Sequence, residues 1–182
     1  MNVYPIILCF FVLCFTSCST KSNNEAPSTE DYLIEKLNHG KELFKDNKHT
    51  RALDDFNEII LNSRGSEIGV EARFYQAESF YELKQYSEAI SSYEKFVDYS
   101  NDLERIELAI FKICKCYFNL STTYNRDQSN NDFAFTKLQL FIDQFPDSEY
   151  LEESEGLIEK LRLRKAKKIY ETGRLYLKLQ EF

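Results

Sequence analysis

One pattern recurs three times along this chain, and it restricts the fold to stacked pairs of helices. A small residue lies inside a short amphipathic segment at Ala52, Ala89 and Ala134, and the intervals are 37 and 45 residues. Internal repeats with a period of roughly 20 to 50 residues are typical of a solenoid, in which each unit packs against its neighbours. The pattern therefore predicts an all-α solenoid and favours a scaffold over an enzyme.

Each unit is expected to contain two antiparallel helices that cross at small residues. These residues are Gly40, Ala77 and Cys114 in the first helices, and Ala52, Ala89 and Ala134 in the second helices. Aromatic and aliphatic side chains at three- and four-residue spacing would fill the seam between the helices. The offsets resemble the tetratricopeptide repeat, although the third unit carries a polar insertion around Thr122–Asn131. The resemblance implies a tetratricopeptide-type helical solenoid of antiparallel helix pairs.

The repeats are expected to end in a half unit. Pro146 stops the third pair, and Asp147 and Ser148 can cap the helix that follows. The residues that fit the first helix of a fourth unit are Ala166, Tyr170, Gly173 and Tyr176, with Phe182 falling just before its partner. A solenoid normally closes with a polar-faced cap, so residues 31–182 predict about 3.5 repeats of a longer protein. The alternative is a short form whose last helix docks on a partner.

The N-terminal residues 1–17 are expected to form a lipoprotein signal peptide. Their apolar run, residues 4–15, is too short to span a bilayer but has the length of a secretory signal core. The small residues directly before Cys18 resemble a bacterial lipobox, which implies a diacylated Cys18 as the first residue of the mature protein. An ordinary secretory signal or an anchoring helix is the alternative. The polar residues 18–30 would then form a flexible tether.

Composition argues against several other classes of function. The net charge of −7 does not suit a nucleic-acid-binding protein. Cys114 and Cys116 lie two residues apart on a predicted helix, so they point to different sides and predict small core residues. His39 and His49 are isolated in the sequence, and no nucleophile–base pair or phosphate loop occurs. We therefore expect no catalytic residue, no metal and no cofactor beyond the covalent lipid on Cys18.

An ordered set of short segments carries more information than the repeat alone. These segments are Gly40-Lys-Glu-Leu-Phe, Ala72-Arg-Phe-Tyr-Gln-Ala-Glu-Ser-Phe-Tyr, Asn125-Arg-Asp-Gln128, Phe141-Ile-Asp-Gln-Phe-Pro-Asp-Ser-Glu-Tyr150 and Leu161-Arg162. Their order is similar to that in the BamD family of outer-membrane β-barrel assembly lipoproteins. In that family an Asp-Arg-Asp-type insertion, a Phe-Pro-x-Ser-x-Tyr turn and a Leu-Arg segment follow one another. The resemblance covers nearly all of residues 31–182.

The resemblance implies a non-enzymatic scaffold of the β-barrel assembly machinery. Such a protein is held by its lipid on the periplasmic face of the outer membrane. It would bind a BamA-like barrel-inserting subunit and other assembly lipoproteins, and it would receive unfolded outer-membrane proteins. Partner contacts that the family assigns to its C-terminal repeats would require residues beyond 182.

The resemblance also places the expected binding site in the N-terminal repeats. A groove lined by first helices is the natural place for an extended substrate segment. The residues at groove-facing offsets are Leu37, Lys41, Phe44, Phe74, Glu78 and Tyr81. This aromatic and apolar set, flanked by charge, would hold an aromatic-ended peptide. Alternatively, Phe44, Phe74 and Tyr81 pack between adjacent repeats.

Other functions stay open at the level of the sequence. The main alternative is a tetratricopeptide lipoprotein that scaffolds cell-wall or envelope complexes. A surface glycan-binding lipoprotein is a weaker alternative because such proteins are far longer, and an enzyme would need its site beyond residue 182.

One basic cluster occurs late in the chain. It consists of Lys160, Arg162, Arg164, Lys165, Lys167 and Lys168. We expect a solvated helix face here, because runs of like charge usually face water. An acidic partner surface or lipid head groups are the alternatives.

Overall fold

The computed structural model describes residues 28–63, 65–121 and 129–180, and within these ranges it contains seven α-helices and no strand. The helices are α1 (Thr29–Lys45), α2 (His49–Asn62), α3 (Glu67–Glu82), α4 (Tyr86–Tyr99), α5 (Leu103–Leu120), α6 (Ser129–Gln144) and α7 (Leu151–Gln180). The predicted signal peptide, Cys18, most of the tether, residues 122–128 of the insertion and Phe182 lie outside the described residues.

The helices stack in chain order, as the repeat pattern predicts. Each helix packs against the next one, and α1 also contacts α3 while α5 also contacts α7. The first helices of the units are α1, α3, α5 and α7, and the second helices are α2, α4 and α6. This arrangement confirms an all-α solenoid of tetratricopeptide type.

The turn inside each of the first two pairs has the same geometry. Asn47 and Lys84, which lie 37 residues apart, both have a φ angle of 59°. In the first turn the N–H of Lys48 donates to the Leu43 carbonyl at 2.9 Å. In the second turn the N–H of Gln85 donates to the Phe80 carbonyl at 2.9 Å. This is a Schellman ending, which reverses the chain and directs the second helix back along the first.

The small residues predicted at the helix crossings are buried, which confirms the register of the repeats. Ala52, Ala89 and Ala134 have no exposed surface. The closeness of the crossing is clearest at Gly40, where an added Cβ atom would lie 2.7 Å from Cε1 of Phe56. Any larger residue at these positions would push the paired helices apart.

Cys114 and Cys116 are buried free thiols, as the sequence predicts. They face different parts of the core, because Cys114 packs with Phe141 whereas Cys116 packs with Tyr93. Burial raises the pKa of both thiols to about 12. Within the described residues, no group of three or more His, Cys, Asp or Glu side chains is arranged to hold a metal ion.

The last helix, α7, joins two segments that the sequence treats separately. A helix was expected directly after Asp147 and Ser148, and the first helix of a fourth unit was expected around residues 166–176; α7 starts at Leu151 and runs through both segments as one helix of 30 residues. Residues 162–166 are all good helix formers, so nothing interrupts the helix there. Its first half packs on α5 and α6 through Leu157, Ile158 and Leu161. The exposed large apolar residues of α7 are Leu163, Ile169, Tyr170, Leu175, Tyr176, Leu177 and Leu179.

Within the described ranges, no helix is both long enough and apolar enough to span a bilayer, and this includes the 30-residue α7.

Candidate protein-binding face

The six residues predicted to bind a partner all lie on the first helices of the first two pairs. Leu37, Lys41 and Phe44 belong to α1, and their counterparts Phe74, Glu78 and Tyr81 belong to α3. The first helices line one side of the stack, which is the usual binding side in solenoids of this kind.

Two of the six residues are part of the core. Leu37 and Phe74 are each 8% exposed. Leu37 packs in the same cluster as Phe56. The Phe74 ring meets Phe96 edge-on, with 5.1 Å between ring centroids, and the guanidinium of Arg105 covers it at 4.2 Å. These two side chains therefore support the face from below and offer little surface to a partner.

Phe44 and Tyr81 are half-buried aromatic residues. Phe44 packs edge-on against Tyr75 of the next unit, with 5.8 Å between ring centroids. Tyr81 packs against Tyr86 across its own turn at 5.7 Å, and burial raises the pKa of the Tyr81 hydroxyl. Both rings keep part of their surface toward solvent, and the Phe44 contact joins adjacent repeats.

Lys41 and Glu78 form ion pairs with residues of the following unit. The Nζ atom of Lys41 lies 2.7 Å from a carboxylate oxygen of Glu71. Glu78 accepts from Nζ of Lys112 at 2.9 Å and from the buried hydroxyl of Tyr93. Burial is the main cause, and the charge of Glu78 the second, of a pKa for the Tyr93 hydroxyl far above its usual value. The hydroxyl therefore stays protonated and acts as a hydrogen-bond donor.

These contacts continue along the face as ion pairs between successive first helices. The pairs are Lys41–Glu71 between α1 and α3, Glu71–Arg105 and Glu78–Lys112 between α3 and α5, and Lys115–Glu153 between α5 and α7. We call this set of seven residues the inter-repeat ladder. It joins every neighbouring pair of first helices in the described ranges.

The ladder cations also lie over aromatic rings. Lys41 is 4.9 Å from the Tyr75 centroid, Arg105 is 4.2 Å from Phe74, Lys112 is 4.7 Å from Tyr81, and Lys115 is 5.3 Å from Phe111. Each cation is thus held by a carboxylate and a ring together. Glu71 has two cationic partners: burial opposes its ionisation, but the hydrogen bonds from Lys41 and Arg105 outweigh burial and lower its pKa.

The ion-pair partners of Lys41 and Glu78 were not predicted from the sequence. Glu71 and Glu78 are seven residues apart on α3, and Arg105 and Lys112 are seven apart on α5, so each carboxylate meets a cation 34 residues later. That spacing of opposite charges, slightly shorter than the 37-residue repeat, was a signal available in the sequence. The structure gives the six predicted residues packing and pairing roles, and their role in binding a partner stays a prediction.

The basic cluster of α7 is only partly the solvated face that the sequence predicts. Arg164 is half-buried, and its guanidinium donates to the carbonyl of Ser121 at 3.1 Å and to its hydroxyl at 2.7 Å. The cation therefore caps the C-terminal end of α5, where the helix dipole favours positive charge. Burial lowers the pKa of Arg164. Lys165 remains exposed and pairs with Asp132 of α6 at 3.1 Å.

A stack of helix pairs with a charged, aromatic face is typical of protein-interaction scaffolds. Comparison with known sequences gives the family: residues 31–182 match the family described as YfiO, outer membrane lipoprotein, and the chain belongs to it. This confirms the family resemblance found in the sequence.

Two curated relatives are named outer membrane protein assembly factor BamD. The protein from Rickettsia prowazekii (strain Madrid E) is 24% identical over 178 residues, which cover 98% of this chain and 71% of that protein. The protein from Caulobacter vibrioides (strain ATCC 19089 / CIP 103742 / CB 15) is 25% identical over 162 residues, which cover 88% of this chain and 53% of that protein. The chain therefore spans about half to three quarters of these relatives.

Proposed function

We propose that this protein is a non-catalytic lipoprotein component of outer-membrane protein assembly. The observation that carries the proposal is the family match over the whole helical region, 31–182. Both curated relatives are named as assembly factors, which supports the same role here. A stack of helix pairs suits such a role because it offers a long surface without needing a catalytic pocket.

The partners in this proposal are a BamA-like barrel-inserting subunit, other assembly lipoproteins and unfolded outer-membrane proteins. The inter-repeat ladder supports the binding of unfolded chains for a physical reason. Its charges are already paired, so a polypeptide lying on the face would leave no buried charge without a partner. Partly exposed rings beside those charges provide contacts that tolerate many sequences.

The proposal includes a lipid anchor on Cys18 that holds the protein on the periplasmic face of the outer membrane. In the Cys18→Ala variant we expect no incorporation of labelled palmitate and loss of the protein from the membrane fraction. A variant that still incorporates palmitate would refute the lipidation site. A variant that loses palmitate but stays on the membrane would show that a signal helix or a partner provides the anchor.

Affinity purification from envelope extracts tests the assembly role directly. With the tagged full-length protein, we expect to recover the barrel-inserting subunit together with other assembly lipoproteins. Recovery of cell-wall enzymes in their place would refute the proposal and favour a different envelope scaffold.

A binding assay with an unfolded outer-membrane protein tests the face. We expect Lys41→Ala to weaken binding, because it removes a ladder cation and the contact with Tyr75. Lys45→Ala is the matched control, since Lys45 is an exposed lysine one turn further along α1. Equal binding by both variants would show that the first-helix face is not where the chain binds.

A further inference from the structure

Two cavities occur at equivalent places in successive repeats. The first has a volume of about 260 Å³ and the second about 300 Å³. Five lining positions correspond at the 37-residue repeat interval: Glu30 and Glu67, Leu33 and Val70, Asn62 and Tyr99, Ser63 and Ser100, and Ile68 and Arg105. The equivalence means that the repeat itself builds these cavities, so they form a row along one edge of the stack.

The edge is distinct from the first-helix face that carries the predicted residues. The first cavity lies where α2 ends and where α1 and α3 begin, and the second lies where α4 ends and where α3 and α5 begin. The two surfaces meet only at Glu71 and Arg105, which belong to the ladder and also line the second cavity.

The distance between the cavities suits an extended polypeptide. Because α1 and α3 are in contact, equivalent points on them lie about 8–10 Å apart. Unfolded chains often adopt the polyproline II conformation, which has three residues per turn and a rise of about 3.1 Å per residue. In that conformation residues i and i+3 point to the same side and are separated by about 9 Å. One such segment can therefore place a side chain in each cavity.

The two cavities differ in chemistry. The first has an apolar wall formed by the buried Leu33 and the half-buried Ile68. At the position equivalent to Ile68 the second cavity has Arg105, whose charge is paired with Glu71. An aliphatic side chain fits the first cavity, where it would cover the apolar wall.

A positively charged side chain fits the second cavity. Apart from the paired Glu71 and Arg105, the charged residues that line it are Glu67 and Asp102, both negative. Its wall includes Tyr99, which is 60% exposed and already has the guanidinium of Arg73 over its ring at 5.5 Å. A second cation can approach the ring from the cavity and be stabilised by the carboxylates at the same time.

We infer that the two cavities together bind one polyproline II segment of an unfolded polypeptide, with an aliphatic side chain in the first cavity and a lysine or arginine three residues away in the second. This inference rests on the proposed function, since it names the kind of segment that an assembly factor of this family would hold.

Site-specific photo-crosslinking tests the register. A photoreactive benzoylphenylalanine replaces Asn62 in the first cavity or Asn101 in the second, and replaces the exposed Ser91 of α4 as a control outside both. After incubation with an unfolded outer-membrane protein, mass spectrometry locates the cross-linked residues. We expect the two cavity positions to label the same segments, about three residues apart, with a lysine or arginine on the Asn101 side. Unrelated segments at the two positions, or labelling equal to that at position 91, overturn the inference.

A binding measurement tests the chemistry of the second cavity. We expect Tyr99→Ala to weaken binding of the same unfolded protein about two- to fivefold, the range of an exposed cation–π contact. Tyr176→Ala is the matched control, because Tyr176 is 64% exposed on α7 and far from both cavities in sequence. Equal affinities for the two variants overturn the inference while the proposed function stands. If the unsubstituted protein binds no unfolded chain, it is the proposed function that fails.

Discussion

The close crossing of α1 and α2 at Gly40 gives a sharp test of the packing. In Gly40→Ala, the new Cβ atom would lie 2.7 Å from Cε1 and 3.2 Å from two further ring carbons of Phe56. The ring has no free space to move into, since Phe56 is fully buried and stacks on Tyr75 with 5.8 Å between centroids. The methyl group must therefore push α1 and α2 apart.

The expected cost follows from two opposing effects. Overpacking of a core usually costs about 1–3 kcal/mol. Replacing a helical glycine with alanine stabilises the folded state by about 1 kcal/mol, because alanine loses less backbone entropy on folding. With a fixed ring as the neighbour, the cost should lie in the upper part of its range. We expect Gly40→Ala to lower the free energy of unfolding by about 1 kcal/mol.

Gly156→Ala is the control that isolates the packing effect. Gly156 lies inside α7, and an added Cβ atom there would meet nothing within 4 Å. This variant should gain about 1 kcal/mol from helix propensity alone. In thermal unfolding followed by circular dichroism at 222 nm, the two variants should differ by about 4–8 °C, with wild type between them. Hydrogen exchange should place the Gly40→Ala effect in α1 and α2.

A Gly40→Ala variant that melted at or above the wild-type temperature would show that the crossing at Gly40 tolerates a methyl group. A loss of stability in both variants would instead point to a general intolerance of alanine in these helices.

Three further predictions follow from the core and the ladder. Ala89→Leu should cost about 1–3 kcal/mol by overpacking a crossing, and an unchanged melting temperature would show that the repeat register is wrong. Native Cys114 and Cys116 should resist a thiol reagent at pH 8, because their thiols have pKa values of about 12, and they should react once urea unfolds the chain; rapid native labelling would contradict their burial. Glu71→Gln should destabilise the protein at neutral pH, in a urea titration repeated across pH. The pKa of Glu71 is lowered by folding, so its contribution is present above the unfolded value of about 4.3 and lost as pH falls through the folded value. A difference between wild type and variant that persists unchanged at pH 2 would rule this out.

The features that the sequence predicts well are those set by local spacing. Gly40 and Ala52 are twelve residues apart, as are Ala77 and Ala89. A short turn allows the second helix to fold back on the first in only one way. The residues at which the two helices cross can therefore be identified from the sequence of one unit alone. The buried thiols could be predicted for the same reason, since helical geometry separates Cys114 from Cys116.

The features that the sequence analysis missed depend on contacts between units. Whether Phe74 is exposed on the face or lies below it depends on Arg105, which covers it from the next unit. Asp147 and Ser148 predict a helix just after Pro146, where α7 begins, but the sequence analysis did not predict that this helix continues unbroken into the fourth unit, since no stop signal occurs before Ala166. The cavities at the edge could not be predicted either, because each is lined by three helices from two units.

A single carboxylate, Glu71, has a consequence for how the whole stack unfolds. In most solenoids each repeat interacts with its nearest neighbours, so unfolding resembles a one-dimensional chain of weakly coupled units. Glu71 of the second unit pairs with Lys41 of the first and Arg105 of the third. Loss of the second unit therefore removes an ion pair from both neighbours at once, whereas loss of the first or the third unit removes one ion pair from the second unit alone. Fraying of α1 should consequently remove one of the two cationic partners of Glu71 and leave the second and third units joined through Arg105.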